Sequence, residues 1–255
     1  MAAMNTQLYI LTGGSRGMGL AMARQILRQG HQLLTIARQS NADLEDVAQA
    51  HQATLWQWQH DLAAPHTAAE QLRDWLGTHD VEHLQRVVLI NNAGVIPPIA
   101  PLSHSDWQAV SQALRVGLEA PMLLTSAFLQ ATEHWRIARQ VLNVSSGLGR
   151  RAIASQATYC AAKAGMDNFS ISVALDEAVK PHGAKICSLA PGVIDTDMQV
   201  QLRSASQAAF PDVGRFAHLK SSGALTSAEE AGARVLAWLD REDFGEPVLA
   251  DVRQP

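Results

Sequence analysis

A chain of 255 residues is long enough to bury a substantial core and fits one large α/β domain. Apolar residues make up 47% and charged residues 17%, proportions that are wrong for an intrinsically disordered protein. The net charge of −4 lacks the basic excess with which proteins bind nucleic acid or anionic membranes, so we expect neither as a partner.

Short β-prone runs alternate with longer helical patterns from one end of the chain to the other. Several runs, most clearly Val87–Ile90, are continuously apolar, which is typical of strands covered on both faces. The alternation predicts an α/β, doubly wound (Rossmann) fold: a parallel sheet of about seven strands with helices on both faces, in one domain over residues 1–255. The predicted strands are Leu8–Thr12, Gln32–Ala37, Thr54–His60, Arg86–Ile90, Gln140–Val144, Lys185–Leu189 and Pro247–Asp251. The predicted helices are Met18–Gln29, Asn41–Ala53, Ala68–Gly77, Asp106–Thr132, Ser155–Val179 and Ser227–Leu239.

The least regular stretch, Thr196–Leu225, is rich in Ser and Ala and contains Gly214 and Gly223. It allows two interpretations. One is a flexible flap over a substrate, and the other is a plain surface loop with short helices.

Cysteines, histidines and the N-terminus bear on compartment and metal content. The two cysteines, Cys160 and Cys187, lie in apolar segments, which favours buried free thiols over a disulfide. His79 and His83 are four residues apart but lack a third ligand nearby, so we expect no metal site. The apolar run at residues 8–11 is too short for a signal peptide or a membrane span. These features predict a cytoplasmic protein.

A glycine-rich turn, Thr12–Gly19, follows the first predicted strand directly and opens the first predicted helix. Glycines let the backbone turn tightly and approach a diphosphate, and the helix N-terminus offers unpaired N–H groups with a partial positive charge. This context predicts a dinucleotide-binding turn. Its expected cofactor-binding residues are Gly13, Ser15, Arg16, Gly17, Met18 and Gly19.

The residues that would surround the adenosine ribose favour NADP(H) over NAD(H). An NAD-binding enzyme usually has Asp or Glu at the end of the second strand, where it binds the ribose 2′-hydroxyl. Here that position carries Arg38, and no acidic residue follows before Asp43. Arg16 lies within the glycine turn itself. Two guanidinium groups at these positions suit a 2′-phosphate, which accepts charge-assisted hydrogen bonds.

A serine, a tyrosine and a lysine form the candidate catalytic set. Tyr159 and Lys163 are four residues apart in a helical pattern, so both side chains project from one face. A nearby ammonium group lowers the ordinary tyrosine pKa of about 10 and brings the phenol closer to useful proton transfer. Ser146 follows the predicted strand that ends at Val144, and its hydroxyl is placed to hold the substrate oxygen.

Further motifs follow other predicted strands: Asp61-Leu62, Asn91–Gly94 and Pro191–Thr196. With the glycine turn, Ser146 and the Tyr159/Lys163 pair, they resemble the short-chain dehydrogenase/reductase family along nearly the whole chain. The resemblance implies that Asp61 and Leu62 flank the adenine and that Asn92, Ala93 and Gly94 line the adenosine side of the cofactor. It also implies that Lys163 binds the nicotinamide ribose beside Tyr159. The last implied contacts with the cofactor come from Pro191, Gly192, Val193, Ile194 and Thr196, of which Val193, Ile194 and Thr196 hold the carboxamide.

A narrower resemblance, to the sepiapterin reductase and benzil reductase group, rests on Tyr159–Ala164, Asp195–Gln199 and the tail Phe244–Asp251. In that group an aspartate on the last strand anchors the substrate, and Asp251 matches its place. The resemblance therefore implies that Ser146, Tyr159 and Asp251 bind the substrate. A polar residue that merely ends a strand is the alternative for Asp251.

One position departs from the family pattern. The family has a catalytic asparagine in the long helix before the serine strand, where it holds a water in a proton relay. The matching position is Gly117, and no asparagine occurs between Asn92 and Asn143. We expect a water to occupy the vacated amide volume and to preserve the relay.

Taken together, the motifs predict an NADPH-dependent carbonyl reductase in which Tyr159 donates the proton. The resemblance implies a small ketone or diketone substrate, of the pterin side-chain or the benzil kind. A non-catalytic NADP-binding sensor or scaffold is the alternative that Gly117 leaves open. Apolar residues in Asp106–Thr132 and Ser155–Val179 exceed what one sheet face needs, which favours dimerisation through these helices. The family resemblance implies a homodimer or a homotetramer.

Overall fold

In the computed structural model, which describes residues 6–254, seven parallel strands form one sheet. The order across the sheet, in chain numbering, is 3-2-1-4-5-6-7. The chain thus winds outward in one direction from strand 1 and in the other from strand 4, which confirms the predicted doubly wound fold. The strands are β1 (Thr6–Thr12), β2 (Gln32–Ala37), β3 (Thr54–Gln59), β4 (Leu84–Asn91), β5 (Ala138–Val144), β6 (Lys185–Ala190) and β7 (Leu249–Asp251).

Helices cover both faces of the sheet. The helices α1, α2 and α9 pack on one face, and α3, α5 and α6 pack on the other. No helix among residues 6–254 has the length and apolar character needed to cross a bilayer. The helices are α1 (Gly17–Arg28), α2 (Asp43–Ala50), α3 (His66–Gly77), α4 (Trp107–Leu114), α5 (Ala120–Thr132), α6 (Ala157–Ala178), α7 (Asp197–Arg203), α8 (Val213–Ser221) and α9 (Ala228–Leu239).

The central strand β4 shows how an apolar run contributes to the core on both faces of the sheet. All four residues of Val87–Ile90 are fully buried. Successive side chains point to opposite faces, so Val87 and Leu89 join the core under α3 and α5, while Val88 and Ile90 join the core under α1 and α9. A strand that is buried on both faces has no solvent-facing side for polar residues, so apolar and polar residues do not alternate along it. The continuous apolar run Val87–Ile90 shows this pattern.

Four predicted helices agree with the structure to within two residues at each end, and the other two differ more. The helix predicted over Asp106–Thr132 is divided into α4 and α5 by a π-helical turn, Arg115–Glu119. The helix predicted from Asn41 begins at Asp43, because the Asn41 side chain accepts a hydrogen bond from the Asp43 N–H at 3.0 Å and forms a turn of its own.

The irregular stretch Thr196–Leu225 contains the two helices α7 and α8. Asp195, just before α7, forms ion pairs with Lys220 of α8 and with Arg203. A single parallel bridge also joins Ile194 to Thr226. The stretch is therefore a helical cover attached at both ends, and we refer to α7 and α8 as the cover helices. Both cysteines, Cys160 and Cys187, are buried and free, as predicted.

Candidate active site

A cleft of about 990 Å³ crosses the carboxyl ends of the strands. In an open α/β sheet this edge, where the strand order changes direction, is the usual place for a ligand. Asp251 is the one predicted site residue that does not line the cleft. The predicted residues that line it are Gly13, Ser15, Arg16, Gly17, Met18, Gly19, Arg38, Asp61, Leu62, Asn92, Ala93, Gly94, Ser146, Tyr159, Lys163, Pro191, Gly192, Val193, Ile194 and Thr196.

The glycine turn forms one wall of the cleft. Gly13 has φ of +70°, and its N–H donates to the Ile36 carbonyl at 2.8 Å, which joins the turn to β2. A Cβ atom on Gly19 would lie 2.1 Å from the Gly13 carbonyl oxygen, so no other residue fits there. The first turn of α1 carries no acidic side chain, and its N-cap residue, Arg16, makes no capping bond. This wall therefore suits an anionic group such as a diphosphate.

Hydrogen bonds tie the ends of β1 and β4 together next to this turn. The Thr12 hydroxyl oxygen accepts from the Asn92 and Ala93 N–H groups, each at 2.9 Å. The Asn92 side-chain amide donates to the Thr12 carbonyl at 2.9 Å. These bonds fix the segment Asn92–Gly94 against the glycine turn. The segment follows β4 and the turn follows β1, so the two lie on either side of the point where the strand order reverses.

The two arginines predicted to bind a 2′-phosphate differ in their surroundings. Arg16 Nη1 lies 2.7 Å from Asp197 Oδ2, so an ion pair joins the glycine turn to the first turn of α7. Both of these side chains are well exposed, and exposed ion pairs contribute little to stability. Arg38 is exposed at the cleft and has no ion pair within residues 6–254. Arg38 is thus the guanidinium more readily available to a phosphate.

Ser146, Tyr159 and Lys163 lie together in the cleft. Ser146 follows β5, and its Oγ accepts from the Leu148 N–H at 3.1 Å. Tyr159 and Lys163 lie one turn apart on α6, with only 9% and 4% of their surfaces exposed. The Tyr159 hydroxyl lies close enough to Ser146 for the serine hydroxyl to lower the tyrosine pKa. Lys163 Nζ donates to the Val144 carbonyl at 2.7 Å and lies 5.8 Å from the centre of the Tyr159 ring.

Burial decides the protonation of this trio. It raises the pKa of Tyr159, and the hydrogen bond with Ser146 lowers that pKa by a smaller amount. The expectation that Lys163 brings the tyrosine pKa below its ordinary value is therefore wrong for this structure, because burial outweighs the other influences. Burial also lowers the pKa of Lys163 to about 8, against the opposing effect of the Asp167 carboxylate. Near neutral pH the phenol holds its proton and the lysine is charged.

Asp167, which sequence reasoning missed, supports the trio from behind. Its Oδ1 accepts from the Ser145 and Ser188 hydroxyls, each at 2.6 Å, and its Oδ2 lies 3.2 Å from Arg150 Nε. The side chain thus connects the ends of β5 and β6 to α6. The signal for it was its place on α6, one turn beyond Lys163.

The predicted substrate anchor, Asp251, has its carboxylate turned to Arg253. Arg253 Nε donates to Oδ1 at 2.8 Å, and Nη2 donates to Oδ2 at 2.5 Å. These hydrogen bonds hold the pKa of Asp251 below its ordinary value. Asp251 is buried, whereas 54% of the Arg253 side chain is exposed and lines the cleft. The geometry therefore does not favour Asp251 as a direct substrate ligand.

The sequence matches the family profile described as short chain dehydrogenase over residues 7–207. The chain belongs to the short chain dehydrogenase family. Benzil reductase ((S)-benzoin forming) of Bacillus cereus is 32% identical over 244 residues, which cover 95% of this chain and 98% of the relative. Sepiapterin reductase of Meriones unguiculatus is 31% identical over 246 residues, 92% of each chain. The crystal structure of a short-chain dehydrogenase/reductase from Burkholderia vietnamiensis matches 99% of each chain, with 30% identity and a TM-score of 0.66.

Gly117 of this dehydrogenase lies in the π-helical turn between α4 and α5 and is buried. A Cβ atom at this position would lie 3.3 Å from Cβ of Ala162 on α6. Ordinary carbon–carbon contacts are about 3.5–4.0 Å. Ala162 therefore packs against the α-carbon of Gly117 on the side where a side chain would begin, so the expectation of a water-filled amide volume there is not supported. π-helical turns occur frequently at functional sites, and this one lines up with the family's asparagine position.

Gly117→Asn is expected to destabilise the protein. Overpacking of a buried contact costs about 1–3 kcal/mol, which lowers the melting temperature of a chain of this size by roughly 2–12 °C. Ala162→Gly costs about 1 kcal/mol by itself, as a glycine inside α6, but it removes the opposing Cβ. Gly117→Asn should therefore cost less in the Ala162→Gly background than in the wild type, and thermal denaturation of Gly117→Asn, Ala162→Gly and the double variant checks this. A single variant as stable as the wild type would mean that the turn adjusts without cost, and unchanged turnover across pH in a folded variant would mean that no proton relay passes this position.

The cover helices contribute an apolar wall that sequence reasoning also missed. Met198 and Leu202 of α7, and Phe216 and Leu219 of α8, line the cleft. Their spacings of four and three residues place each pair on one helix face. This spacing was the available signal in the irregular stretch. The cover helices therefore line the cleft with apolar side chains, in addition to the polar trio.

Proposed function

We propose that this dehydrogenase is an NADPH-dependent reductase of small ketones or vicinal diketones. The observation that carries the proposal is the placement of Ser146, Tyr159 and Lys163 in the same cleft as the glycine turn. Family membership supports oxidoreductase chemistry. The two named relatives, each about a third identical, reduce benzil and sepiapterin by their names, which supports a carbonyl substrate.

In this proposal the trio handles the substrate oxygen. The Ser146 hydroxyl and the Tyr159 hydroxyl, which lie next to each other in the cleft, both reach the carbonyl oxygen, and Tyr159 gives it a proton. A raised tyrosine pKa suits this role, because the phenol must carry the proton before it can donate it. Asp167 and the Val144 carbonyl hold Lys163 and α6 in position behind the tyrosine. The buried setting excludes water from the proton that is transferred.

The chain offers a continuous set of contacts for NADP(H). The diphosphate would lie on the glycine turn and the start of α1, the adenine near Asp61 and Leu62, and the nicotinamide end near Lys163 and the segment Pro191–Thr196. The reduced cofactor, when bound, supplies the hydride that adds to the carbonyl carbon. The glycine turn supports this assignment, because the first turn of α1 has no acidic side chain and no side-chain cap, so its N–H groups suit a diphosphate. Arg38 and Arg16 support the preference for a 2′-phosphate.

The substrate assignment is tested by the oxidation of NADPH in the presence of benzil, sepiapterin, simple diketones and 3-oxoacyl thioesters, each repeated with NADH. We expect turnover with diketones or sepiapterin and a preference for NADPH. The alternative, an NADP-binding sensor or scaffold, predicts NADPH binding without turnover of any of these compounds. A strong preference for NADH would remove the argument from Arg16 and Arg38.

Reductase activity is expected to decline as the pH rises through about 8. The pKa of Lys163 is lowered to about 8 by burial, so its ammonium charge is present below that pH and lost above it. We expect kcat/KM for carbonyl reduction to fall about tenfold per pH unit above the midpoint and to be level below it. Asp167 raises the lysine pKa, so Asp167→Asn should move the midpoint to lower pH. A midpoint that stays in place in a folded Asp167→Asn variant would remove Lys163 as its source.

Two wider proposals concern assembly and compartment. Ile171 and Leu175 of α6, and Val179 directly after it, are 37%, 68% and 85% exposed and lie at four-residue intervals. An exposed apolar face of this kind supports a homodimer or homotetramer. The buried free thiols Cys160 and Cys187 support a cytoplasmic location.

A further inference from the structure

The side chain of Arg253 lies beside the catalytic serine. A Cβ atom placed on Gly147, the residue after Ser146, would lie 3.9 Å from Nη2 of Arg253. A Cβ atom on Gly192 would lie 3.9 Å from Cδ of the same arginine. The side chain therefore crosses from the Pro191–Thr196 segment toward Ser146. This is the end of the cleft where the reacting carbonyl of the proposed reaction would lie.

Asp251 holds the guanidinium of Arg253 in place without using up its donors. A guanidinium has five N–H donors, and the Asp251 carboxylate takes only those of Nε and one of Nη2. The carboxylate is buried, while the guanidinium is half exposed in the cleft. Arg150 also lies near Asp251 and lowers its pKa together with Arg253. A ligand in the cleft therefore meets the cation and not its counter-ion.

The rest of this end of the cleft adds positive charge. The Arg151 N–H donates to the Gly147 carbonyl at 3.2 Å, and the Arg151 side chain lines the cleft and has no ion pair within residues 6–254. Arg215 of α8 is a further arginine that lines the cleft and is unpaired within those residues. The aspartates that line the cleft do not offset these cations. Asp195 is paired with Lys220 and Arg203, Asp197 is paired with Arg16, and Asp61 lies after β3 on the side expected to bind adenosine.

We propose that Arg253, supported by Arg151, binds an anionic group of the substrate, so that the preferred substrates are ketones with a carboxylate close to the reacting carbonyl. The inference rests on the proposed reductase function and narrows its substrate class. The carboxylate stays unchanged in the reaction: hydride adds to the ketone carbon, Tyr159 protonates the ketone oxygen, and the product is the hydroxy acid. Planar guanidinium groups bind carboxylates in a bidentate manner, which also orients the ketone.

A matched pair of substrates tests the inference: benzoylformate and its neutral methyl ester, with benzil as the reference for the proposed function. We expect kcat/KM for benzoylformate to exceed that for the ester at least about tenfold, the effect of one charge-assisted contact. In Arg253→Gln this advantage should disappear, with the ester changed less than about twofold. Arg253→Lys should retain part of it. Because the Arg253 guanidinium is half exposed, added salt should screen its charge and reduce the preference for benzoylformate over the ester.

The control is Arg241→Gln. Arg241 pairs with Asp243 two residues away through the same two nitrogens, at 2.7 and 2.9 Å, but it does not line the cleft. Since Arg253→Gln leaves the buried Asp251 carboxylate without its main partner, Asp251→Asn combined with Arg253→Gln is measured as well. Arg241→Gln should leave both substrates unaffected, and the double variant should behave like Arg253→Gln.

Several results would overturn the inference. The first is a wild type with equal kcat/KM values for the ester and the acid. The second is an equal loss of kcat/KM for both substrates in Arg253→Gln and in the double variant. The third is an Arg253→Gln variant in which only the KM for NADPH rises. If none of benzil, sepiapterin, the simple diketones and the two test ketones is reduced, the proposed function fails. Calorimetric titration of the NADP⁺-bound protein with mandelate and methyl mandelate then still tests Arg253, because the inference requires tighter binding of the acid in the wild type and equal binding in Arg253→Gln.

Discussion

Tyr159→Phe is expected to lose turnover by about 10²-fold to 10⁴-fold, the usual contribution of a positioned general acid, while NADPH binding stays within about threefold. The substitution removes only the hydroxyl beside Ser146 and leaves the buried ring on α6. Steady-state oxidation of NADPH with a diketone measures the first quantity, and the change in NADPH fluorescence on binding measures the second.

The control uses the other tyrosine of the chain, Tyr9. Its hydroxyl donates to Gln7 at 2.6 Å and accepts from Arg86 at 2.9 Å, and it lies outside the cleft. Tyr9→Phe removes a hydroxyl from an equally packed ring, so we expect a loss of about 1 kcal/mol in stability and no loss of turnover. Substantial activity in Tyr159→Phe would remove the tyrosine from the chemistry. NADPH binding without turnover in the wild type would favour the sensor interpretation.

Arg38→Asp is expected to reverse the cofactor preference. A charge-assisted hydrogen bond contributes about 1.5–3 kcal/mol, so its loss, with a carboxylate facing the 2′-phosphate, should reduce kcat/KM for NADPH by about 10-fold to 100-fold or more. The new carboxylate is suited to accept from a ribose 2′-hydroxyl, so kcat/KM for NADH should hold or rise. The ratio of the two values in one preparation is the measurement.

Arg28→Asp serves as the control for this substitution. Arg28 is also exposed and unpaired within residues 6–254, but it ends α1, and it does not line the cleft. We expect no change in the cofactor ratio for it. Arg16→Gln should have a smaller effect than Arg38→Gln, because Arg16 must leave Asp197 to reach a phosphate. Equal kcat/KM values for NADPH in the wild type and Arg38→Asp would mean that the 2′-phosphate lies elsewhere.

The sequence was sufficient for the features that depend on local pattern. The apolar run in β4 predicted a strand buried on both faces, and the glycines of the Thr12–Gly19 turn predicted the wall of the cleft, because each needs only neighbouring residues. Contacts between distant positions were out of reach. Arg16 and Asp197 are 181 residues apart in sequence, and nothing local indicates that they pair. The π-helical turn at Gly117 was missed because a helical pattern does not reveal one extra residue in a turn.

Asp251 illustrates a different limit. Its position at the end of the last strand was predicted, but the direction of its carboxylate depends on Arg253, two residues later, and on the burial of the pair. A side chain can lie at the expected position and still form its hydrogen bonds with a neighbouring residue and not with a ligand.

The way in which the cover helices are attached has a consequence for the evolution of this enzyme. They are joined to the body by the exposed pair of Arg16 with Asp197 and by the Asp195 contacts, whereas Asp167 fixes α6 through buried bonds to β5 and β6. Substitutions in the cover therefore act on a part of the molecule that shares few interactions with the proton donor. We therefore expect substitutions of cleft-lining cover residues to alter substrate preference while the bonds that hold α6 stay intact.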